Sequence, residues 1–367
     1  MDLKSLLVSS DDRTVRVLRR VLSDLEIGVD HCADAEDAVR RLTRQRFEAI
    51  IVDCSDTEES SNILRASKSA PVNKRALSIV LVENDVGLKG GFEMGAHFVL
   101  HKPLAVERAK ASFRAVRALM KSERRLQMRV PVQVPVACIG AGKYNARTID
   151  LCEGGMAIQF LGRASSENSL RFSLALPGMD EKLEVWGELA WEGEGDRAGV
   201  RFKGITEEQR HTLRTWLNTQ LPDREPDDPP QVCRLKDVSH GGCYLTTTSP
   251  FPKSTRVTLS LDSLKVGGVV RVAHAEFGMG IEFVQSTPDQ HEQVRQLIES
   301  LHASGESAEL QVAPDGLESG SSDDQSVSHA HGRAGDSLVN LFRQQSKVSV
   351  EVFLKQMQQQ RHMPHSR

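Results

Sequence analysis

The chain has 367 residues, of which 39% are hydrophobic and 26% are charged, and its formal net charge at pH 7 is −3. This length predicts two to three domains, and the near-neutral charge excludes a protein that binds nucleic acid over its whole surface. No uncharged apolar run approaches the roughly 18 residues needed to cross a bilayer, and the first apolar run is too short for a signal peptide, so we expect a cytoplasmic protein without membrane insertion.

Residues 1–120 alternate between strand and helix patterns. Apolar residues at helical spacing predict a helix over Arg13–Leu25. Short apolar runs predict strands at Leu3–Val8, Phe47–Asp53, Leu77–Val82 and His97–Pro103. Strands that alternate with helices indicate a doubly wound α/β fold, in which a parallel sheet is covered on both faces and ligands bind at the carboxyl ends of the strands.

Charged residues follow several of these strands. The residues at such carboxyl ends are Asp11, Asp12, Asp53 and Lys102. Three converging carboxylates would form a metal site suited to a hard cation such as Mg²⁺. One of the acids could accept a phosphoryl group while the lysine neutralises the phosphate charge.

This arrangement resembles the receiver domain of two-component response regulators, which has a flavodoxin-like fold. The resemblance implies that Asp11 and Asp12 are the acidic pair. It also implies that Asp53 is the phosphoacceptor and that Lys102 neutralises the phosphate. The sequence departs from the family at Val99, where the family has its switch aromatic, and at the fourth strand, which ends without a hydroxyl side chain. Two interpretations stay open: a phosphorelay switch, and a receiver fold kept for docking or for homodimer formation.

Residues 121–220 begin with a basic hinge and continue as short strands. A helical pattern over Phe113–Leu126 leads into the hinge, and Thr206 opens a later helix with a capping-box pattern. Between them, alternating apolar residues and turn signals predict a small antiparallel barrel that the later helix would close. The predicted strands are Val130–Ile139, Tyr144–Asp150, Met156–Phe160, Leu170–Leu176, Leu183–Trp191 and Ala198–Phe202.

Two motifs in this segment resemble those of the PilZ family, whose members bind the bacterial messenger cyclic di-GMP. They are Arg125-x-x-x-Arg129 and Asp150-x-Cys152-x-x-Gly155, where the family has Asp/Asn-x-Ser-x-x-Gly. Arginine suits this ligand because its planar fork donates paired hydrogen bonds to phosphate and to the guanine edge. The resemblance implies that both arginines and Asp150 contact the nucleotide and that Gly155 permits close backbone approach. Cys152 stands where the family has serine, which weakens one hydrogen bond by about 0.5–1.5 kcal/mol.

The turn motif recurs 87 residues later as Asp237-x-Ser239-x-x-Gly242. An internal duplication of this kind predicts a second PilZ-type barrel with its own closing helix. This copy lacks the arginine pair, so we interpret it as degenerate and structural. Arg210 and Arg214 have the spacing of the arginine pair, but they lie on the closing helix of the first copy, where we expect a solvated face.

Composition marks the remaining boundaries. A proline-rich linker at 221–230 separates the two barrels, and beyond Ala303 the sequence is rich in Ser, Gly, Asp and Gln, which predicts disorder. One short amphipathic helix is predicted within that tail, at Leu338–Met357. The predicted domains are a receiver-like domain at 1–120, a PilZ domain with its basic hinge at 121–220, a second PilZ-like domain at 221–302 and a disordered tail at 303–367.

These features predict a non-enzymatic signalling effector that binds cyclic di-GMP at the hinge and first barrel and then changes its interdomain arrangement. Its partners would be cyclic di-GMP, an unidentified protein and, at the receiver site, Mg²⁺. Two alternatives remain: an adaptor switched by phosphorylation at Asp53, and a scaffold that binds only other proteins.

Overall fold

The computed structural model describes residues 3–83, 87–140, 142–162, 169–179, 182–203, 205, 207–220, 226–275, 277–285, 288–304, 308–318, 336–344 and 350–361.

The chain begins with a five-stranded sheet whose strands alternate with helices. The elements are β1 (Leu3–Val8), α1 (Asp12–Asp24), β2 (Ile27–Cys32), α2 (Ala35–Arg44), β3 (Ala49–Asp53), α3 (Thr57–Ser69), β4 (Leu77–Val82), α4 (Gly87–Glu93), β5 (Phe98–His101) and α5 (Val106–Gln127). The strands lie in the order β2-β1-β3-β4-β5, and every neighbouring pair is parallel. This is the order of a flavodoxin-like doubly wound sheet, which confirms the predicted fold class.

An antiparallel barrel follows. Its elements are β6 (Val130–Pro131), β7 (Pro135–Ile139), β8 (Lys143–Cys152), β9 (Gly155–Phe160), β10 (Ser169–Leu174), β11 (Leu183–Gly193), β12 (Arg197–Lys203) and α6 (Glu207–Gln220). The sheet order is β6-β8-β7-β10-β11-β12-β9, and the additional pairing of β8 with β9 closes six of these strands into a barrel. The strand predicted over Val130–Ile139 is divided in two, because Pro131 and Pro135 lack the N–H groups that a continuous ladder needs.

A second closed barrel repeats the first. Its elements are β13 (Gln231–Val238), β14 (Gly242–Thr246), β15 (Thr255–Leu261), β16 (Leu264–His274), β17 (Gly278–Phe283), α7 (Pro288–Ser304) and β18 (Glu309–Leu317). The barrel order is β13-β14-β17-β16-β15-β18. Both predicted barrels and their helices are thus present.

The strand that completes the second barrel comes from a segment predicted to be disordered. β18 pairs with β13 and β15, and so takes the position that β7 holds between β8 and β10 in the first barrel. Without β18, the neighbouring strands would be open sheet edges. The prediction of disorder from residue 303 onward is therefore wrong for Glu309–Leu317, where Leu310 and Val312 are fully buried.

The described residues of the C-terminal segment form two helical stretches in the region of the helix predicted at Leu338–Met357. They are α8 (Ser337–Gln344) and α9 (Val350–Arg361). Residues 345–349, which would join them in the predicted helix, lie outside the described residues. Apolar side chains of both helices pack in one buried cluster with Tyr244 and Val272 of the second barrel.

The chain divides into two compact units, one of residues 1–123 with 227–367 and the other of residues 124–226. Within the first unit, α5 contacts the second barrel and the residues just before it: Lys121 Nζ lies 2.7 Å from Asp228 Oδ1, to which Arg117 also binds. The buried carboxylate of Glu123 accepts the N–H of Leu317 in β18. The parallel sheet and the second barrel therefore form one unit, whereas the predicted domain boundaries remain predictions.

None of the helices in the described part of the chain is both long and apolar enough to cross a bilayer.

Acid is expected to destabilise the parallel-sheet domain through His97. The ring Nδ1 of His97 accepts the N–H of Ser78 at 2.9 Å, and burial, together with the charge of Lys68, lowers the pKa of His97 to about 4. The unfolded chain binds this proton near pH 6.5 and the folded chain only near pH 4, so stability is lost as the pH falls through that window. We expect the wild type to lose about 2 kcal/mol more than His97→Gln between pH 7 and pH 4.5. Calorimetric melting checks this, and equal losses in both proteins would contradict it.

Candidate ligand-binding site

The carboxyl edge of the parallel sheet brings two of the predicted phosphorylation residues together. Asp53 ends β3, and Lys102 follows β5. The ammonium of Lys102 donates to both carboxylate oxygens of Asp53, at 3.0 and 3.2 Å. The hydroxyl of Ser9, the residue after β1, donates to Asp53 Oδ2 at 2.7 Å. The carboxylate of Asp53 is thus held by one cation and one hydroxyl.

Of the predicted acidic pair, Asp11 lies at the edge of this cluster, with its Oδ2 3.7 Å from Lys102 Nζ. Asp11 caps α1, where its carboxylate accepts the N–H groups of Arg13 and Thr14 and the hydroxyl of Thr14, and these hydrogen bonds hold the pKa of Asp11 below its usual range. Asp12 is the first residue of the helix and is exposed. In the part of the chain that the structure describes, no group of three or more His, Cys, Asp or Glu residues could hold a metal ion. Asp11 is used to cap the helix and Ser9 lies beside Asp53, so the Mg²⁺ site of Asp11, Asp12 and Asp53 remains a prediction.

In the first barrel, the two arginines of the predicted hinge have different environments. Arg125 lies in the last turn of α5, so the segment predicted as a hinge is helical as far as Gln127. The side chain of Arg125 is 7% exposed, and its Nε lies 2.8 Å from Oε1 of Glu153, which is 1% exposed. A second arginine, Arg214 of α6, places its Nε 3.3 Å from the other oxygen of Glu153. Arg125 is therefore part of a buried ionic cluster.

The second arginine of the motif faces solvent. Arg129 lies between α5 and β6, its side chain is 45% exposed, and its Nη1 binds Oδ1 of Asp150. The same oxygen of Asp150 accepts the N–H of Ala157 at 3.2 Å, which fixes the carboxylate over β9. The structure thus brings Arg129 and Asp150 together as an accessible cation and acceptor.

Cys152 and Gly155 organise the turn of the motif. Cys152 is buried, which raises the pKa of its thiol, while the charge of Arg129 and the N–H groups of Gly154 and Gly155 act in the opposite direction. A Cβ on Gly155 would lie 2.1 Å from the carbonyl oxygen of Val200 in β12, whereas a Cβ on Gly154 would meet only a carbonyl oxygen at 3.7 Å. Gly155 is therefore required for the packing of β9 against β12. From the sequence, the need for glycine here was attributed to close approach of the ligand.

Cys152→Ser is expected to leave ligand affinity within about tenfold of the wild type, because one neutral hydrogen bond is worth about 0.5–1.5 kcal/mol. The serine hydroxyl can accept from the same turn N–H groups that approach the sulfur. Titration calorimetry with cyclic di-GMP on both proteins measures the change. A gain far above tenfold would mean that this side chain contacts the nucleotide itself.

The closing helix α6 has a role that was not predicted. Arg210 and Arg214 were expected on a solvated face, but Arg210 is 7% exposed and Arg214 pairs with the buried Glu153. That prediction is wrong. The sequence did contain a signal for this ion pair. Glu153 is an acid inside the turn motif, and the closing helix of the same barrel carries two arginines one helical turn apart.

The second copy has the same backbone requirement without the arginines. A Cβ on Gly242 would lie 2.3 Å from the carbonyl oxygen of Ile281, in the strand equivalent to that of Val200. Asp237 is buried, and Ser239 replaces the cysteine of the first copy. The two turns are therefore built alike.

Comparison with known proteins agrees with this architecture. Residues 123–219 and 221–300 each match the family model described as the PilZ domain. No match was found among curated proteins. Among solved structures, the receiver domain of a sensor histidine kinase from Pseudomonas aeruginosa is 25% identical over 33% of this chain and 98% of its own, with a TM-score of 0.29.

Two further solved structures each match somewhat more than a quarter of the chain. The PilZ domain of CeSA from a cellulose-synthesizing bacterium is 19% identical over 27% of this chain and 100% of its own, with a TM-score of 0.22. An inhibitor of motility from Bacillus subtilis is 17% identical over 28% of this chain and 53% of its own, with a TM-score of 0.24. Two closed barrels, a turn motif repeated in both and a family match to each show that residues 123–219 and 221–300 are similar to PilZ domains.

Proposed function

We propose that this protein is a non-enzymatic signalling effector that binds cyclic di-GMP at its first barrel. The observation that carries the proposal is the exposed pair of Arg129 and Asp150, whose side chains are 45% and 26% exposed. Cyclic di-GMP offers two phosphates and two guanines, so it needs a cation beside an acceptor for guanine N–H groups. Arginine is well matched to the phosphate and aspartate to the guanine edge.

Binding would proceed by exchange of partners. A phosphate would replace Asp150 as the partner of Arg129, and the released carboxylate would accept from guanine. A surface ion pair is worth about 0–1 kcal/mol, whereas a hydrogen bond to a charged group is worth about 1.5–3 kcal/mol. The exchange is therefore favourable once the ligand is in place.

We assign Arg125 chiefly to the structure of the site. Moving its guanidinium to a ligand would leave Glu153, which is 1% exposed, with less positive charge around it. Arg214 would remain beside the buried carboxylate. The two arginines of the motif therefore differ in role: Arg129 contacts the ligand, and Arg125 supports the turn that carries Asp150.

Ligand binding would also change the arrangement of the domains. Arg129 belongs to the two-residue connection between the end of α5 at Gln127 and the start of β6 at Val130. A ligand held by both Arg129 and the barrel motif would restrict rotation about this connection, which is a switch of the hinge kind. Small-angle X-ray scattering with and without ligand tests this; identical profiles at saturation would contradict it.

The binding proposal is tested by titration calorimetry of the intact chain with cyclic di-GMP. We expect a dissociation constant in the micromolar range or tighter for the wild type and a loss of at least about tenfold in Arg129→Ala. Arg171→Ala is the matched control, because Arg171 is an exposed arginine of the same barrel that pairs with Glu184 on β11. The absence of heat with wild-type protein, or equal losses in both variants, would contradict the proposal.

For the parallel-sheet domain we propose a docking role within the protein. The observation that favours this is α5, because Glu123 contacts β18 of the second barrel and Arg117 and Lys121 bind Asp228, just before β13. Among the described residues, Asp53 belongs to no group of three His, Cys, Asp or Glu side chains that could hold a metal ion. Incubation with acetyl phosphate, with Asp53→Ala as the control, tests it by intact mass. A phosphate adduct on the wild type that is absent from Asp53→Ala would favour the phosphorylation switch instead.

A further inference from the structure

The turn motif of the second barrel already holds a carboxylate. Asp336, immediately before α8, accepts the hydroxyl of Ser239 at 3.0 Å and the N–H of Gly241 at 2.9 Å. Its Oδ1 also accepts the N–H groups of Leu338 and Val339 at 3.1 Å, which is the geometry of a helix N-cap. One carboxylate therefore caps α8 and joins it to the motif.

An apolar face of the C-terminal helices covers the barrel beside this carboxylate. The ring of Phe353 lies 5.5 Å from that of Tyr244 and 4.6 Å from that of His274, and the hydroxyl of Tyr244 bonds to His274 Nδ1 at 2.9 Å. Tyr244 is fully buried. The helix residues of this cluster are Leu338, Leu341, Phe342, Phe353 and Met357.

Two glycines make room for α8. A Cβ on Gly241 would lie 2.7 Å from Val339 Cγ2 and 2.9 Å from Asp336 Oδ2. A Cβ on Gly280 would lie 2.6 Å from the ring of Phe342. The barrel surface is thus shaped for the helix at the level of its backbone.

The first barrel differs at the corresponding positions. Its equivalent of Tyr244 is Ala157, 87 residues earlier, whose methyl group offers no aromatic ring for a helix to pack against. Its equivalent of Gly280 is Gly199, and there the space is filled by Trp191 of the neighbouring strand, at the position held by Val272 in the second barrel. In the second barrel, Phe342 of α8 therefore lies over the glycine that a tryptophan of the barrel itself covers in the first.

We propose that the second barrel is a binding module for an amphipathic helix that begins with an acidic N-cap, and that Asp336, α8 and α9 occupy it in cis. The Ser239 hydroxyl and the Gly241 N–H recognise the N-cap carboxylate. The aromatic ring of Tyr244 packs against the apolar face of the helix. A partner protein that presents the same pattern, an acid followed by apolar residues two, five and six positions later, competes with the C-terminal segment for this site. The motif that binds nucleotide in our proposal for the first barrel thus binds protein here.

The first experiment measures amide hydrogen exchange at Leu338–Phe342 in the full-length protein. We expect protection in the wild type and exchange faster by about tenfold or more in Gly241→Ala, because the added methyl meets Asp336 and Val339. Gly154→Ala, the same change at the equivalent position of the first barrel, is the matched control and should leave this exchange unchanged. Equal exchange in the wild type and Gly241→Ala would overturn the proposal.

A second experiment distinguishes a binding site from an ordinary part of the core. A fluorescent peptide with the sequence of residues 335–361 is titrated against full-length Phe342→Asp, in which the cis helix cannot dock, and binding is followed by anisotropy. We expect binding to this variant at least about tenfold tighter than to the wild type, and no such gain in Phe342→Asp/Gly241→Ala. The proposal fails if folded Phe342→Asp does not bind the peptide. It also fails if Phe342→Asp loses the melting transition of the second barrel, since the segment would then be core.

Discussion

Gly155→Ala is expected to destabilise the first barrel by about 3 kcal/mol or more, which corresponds to a fall in melting temperature of roughly 10 °C or more for a domain of this size. The reason is steric. The added Cβ would lie 2.1 Å from the carbonyl oxygen of Val200 and 3.3 Å from the Cα of Arg201, and both atoms belong to backbone that cannot rotate away. Relief requires separation of β9 from β12, which are paired through Gly155 and Arg201.

Gly154→Ala is the internal control for this prediction. The neighbouring glycine would place its Cβ only against the carbonyl oxygen of Leu126, at the ordinary contact distance of 3.7 Å, so little change in melting temperature is expected. Differential scanning calorimetry of both variants makes the comparison. Similar melting of the two variants would refute the packing argument. A stable Gly155→Ala protein that no longer bound cyclic di-GMP would restore the ligand-contact role that the resemblance implied.

The fold could be predicted where the pattern is local or repeated. The alternation of strands and helices, the alternating apolar residues of the first barrel and the duplicated turn motif are all visible within short windows of sequence. The strand β18 could not be predicted in this way, because only two large apolar residues in it are buried, Leu310 and Val312. Its partners, β13 and β15, lie about 50 residues or more earlier, so its place depends on an edge that only the closed barrel defines.

At the candidate sites, the sequence likewise predicted some residues correctly but did not predict all of their partners. The sequence identified Arg129 and Asp150, which the structure brings into contact, and Asp53 and Lys102, which are also paired. It did not show that Asp11 would be used as a helix cap, because capping depends on where α1 begins. The partners of a charged side chain depend on the packing of distant elements, and these partners decide whether the charge is available to a ligand.

Arg125→Ala is expected to reduce mainly the stability of the first barrel, whereas Arg129→Ala is expected to reduce mainly ligand binding. Arg125→Ala should lower the free energy of unfolding of the first barrel by about 3 kcal/mol, because removing one member of a buried ion pair leaves a buried charge under-compensated. We place the cost at the low end of the usual range because Arg214 remains beside Glu153. Arg129→Ala should leave stability nearly unchanged, since exposed pairs contribute little, and should weaken cyclic di-GMP binding by at least about tenfold. Denaturant unfolding and titration calorimetry on the same preparations measure both quantities.

The cause of the Arg125 effect is tested by restoring charge balance. Adding Glu153→Gln to Arg125→Ala removes the buried charge that the first substitution exposed, so the double variant should regain at least about 1 kcal/mol relative to Arg125→Ala. If Arg125→Ala unfolds like the wild type and yet loses binding, then Arg125 contacts the nucleotide and Glu153 is only its partner in the free protein. If instead the double variant recovers both stability and binding, then Arg125 acts through the turn. Ligand recognition then depends on Arg129 and Asp150. The buried cluster of Arg125, Glu153 and Arg214 holds these two residues in place.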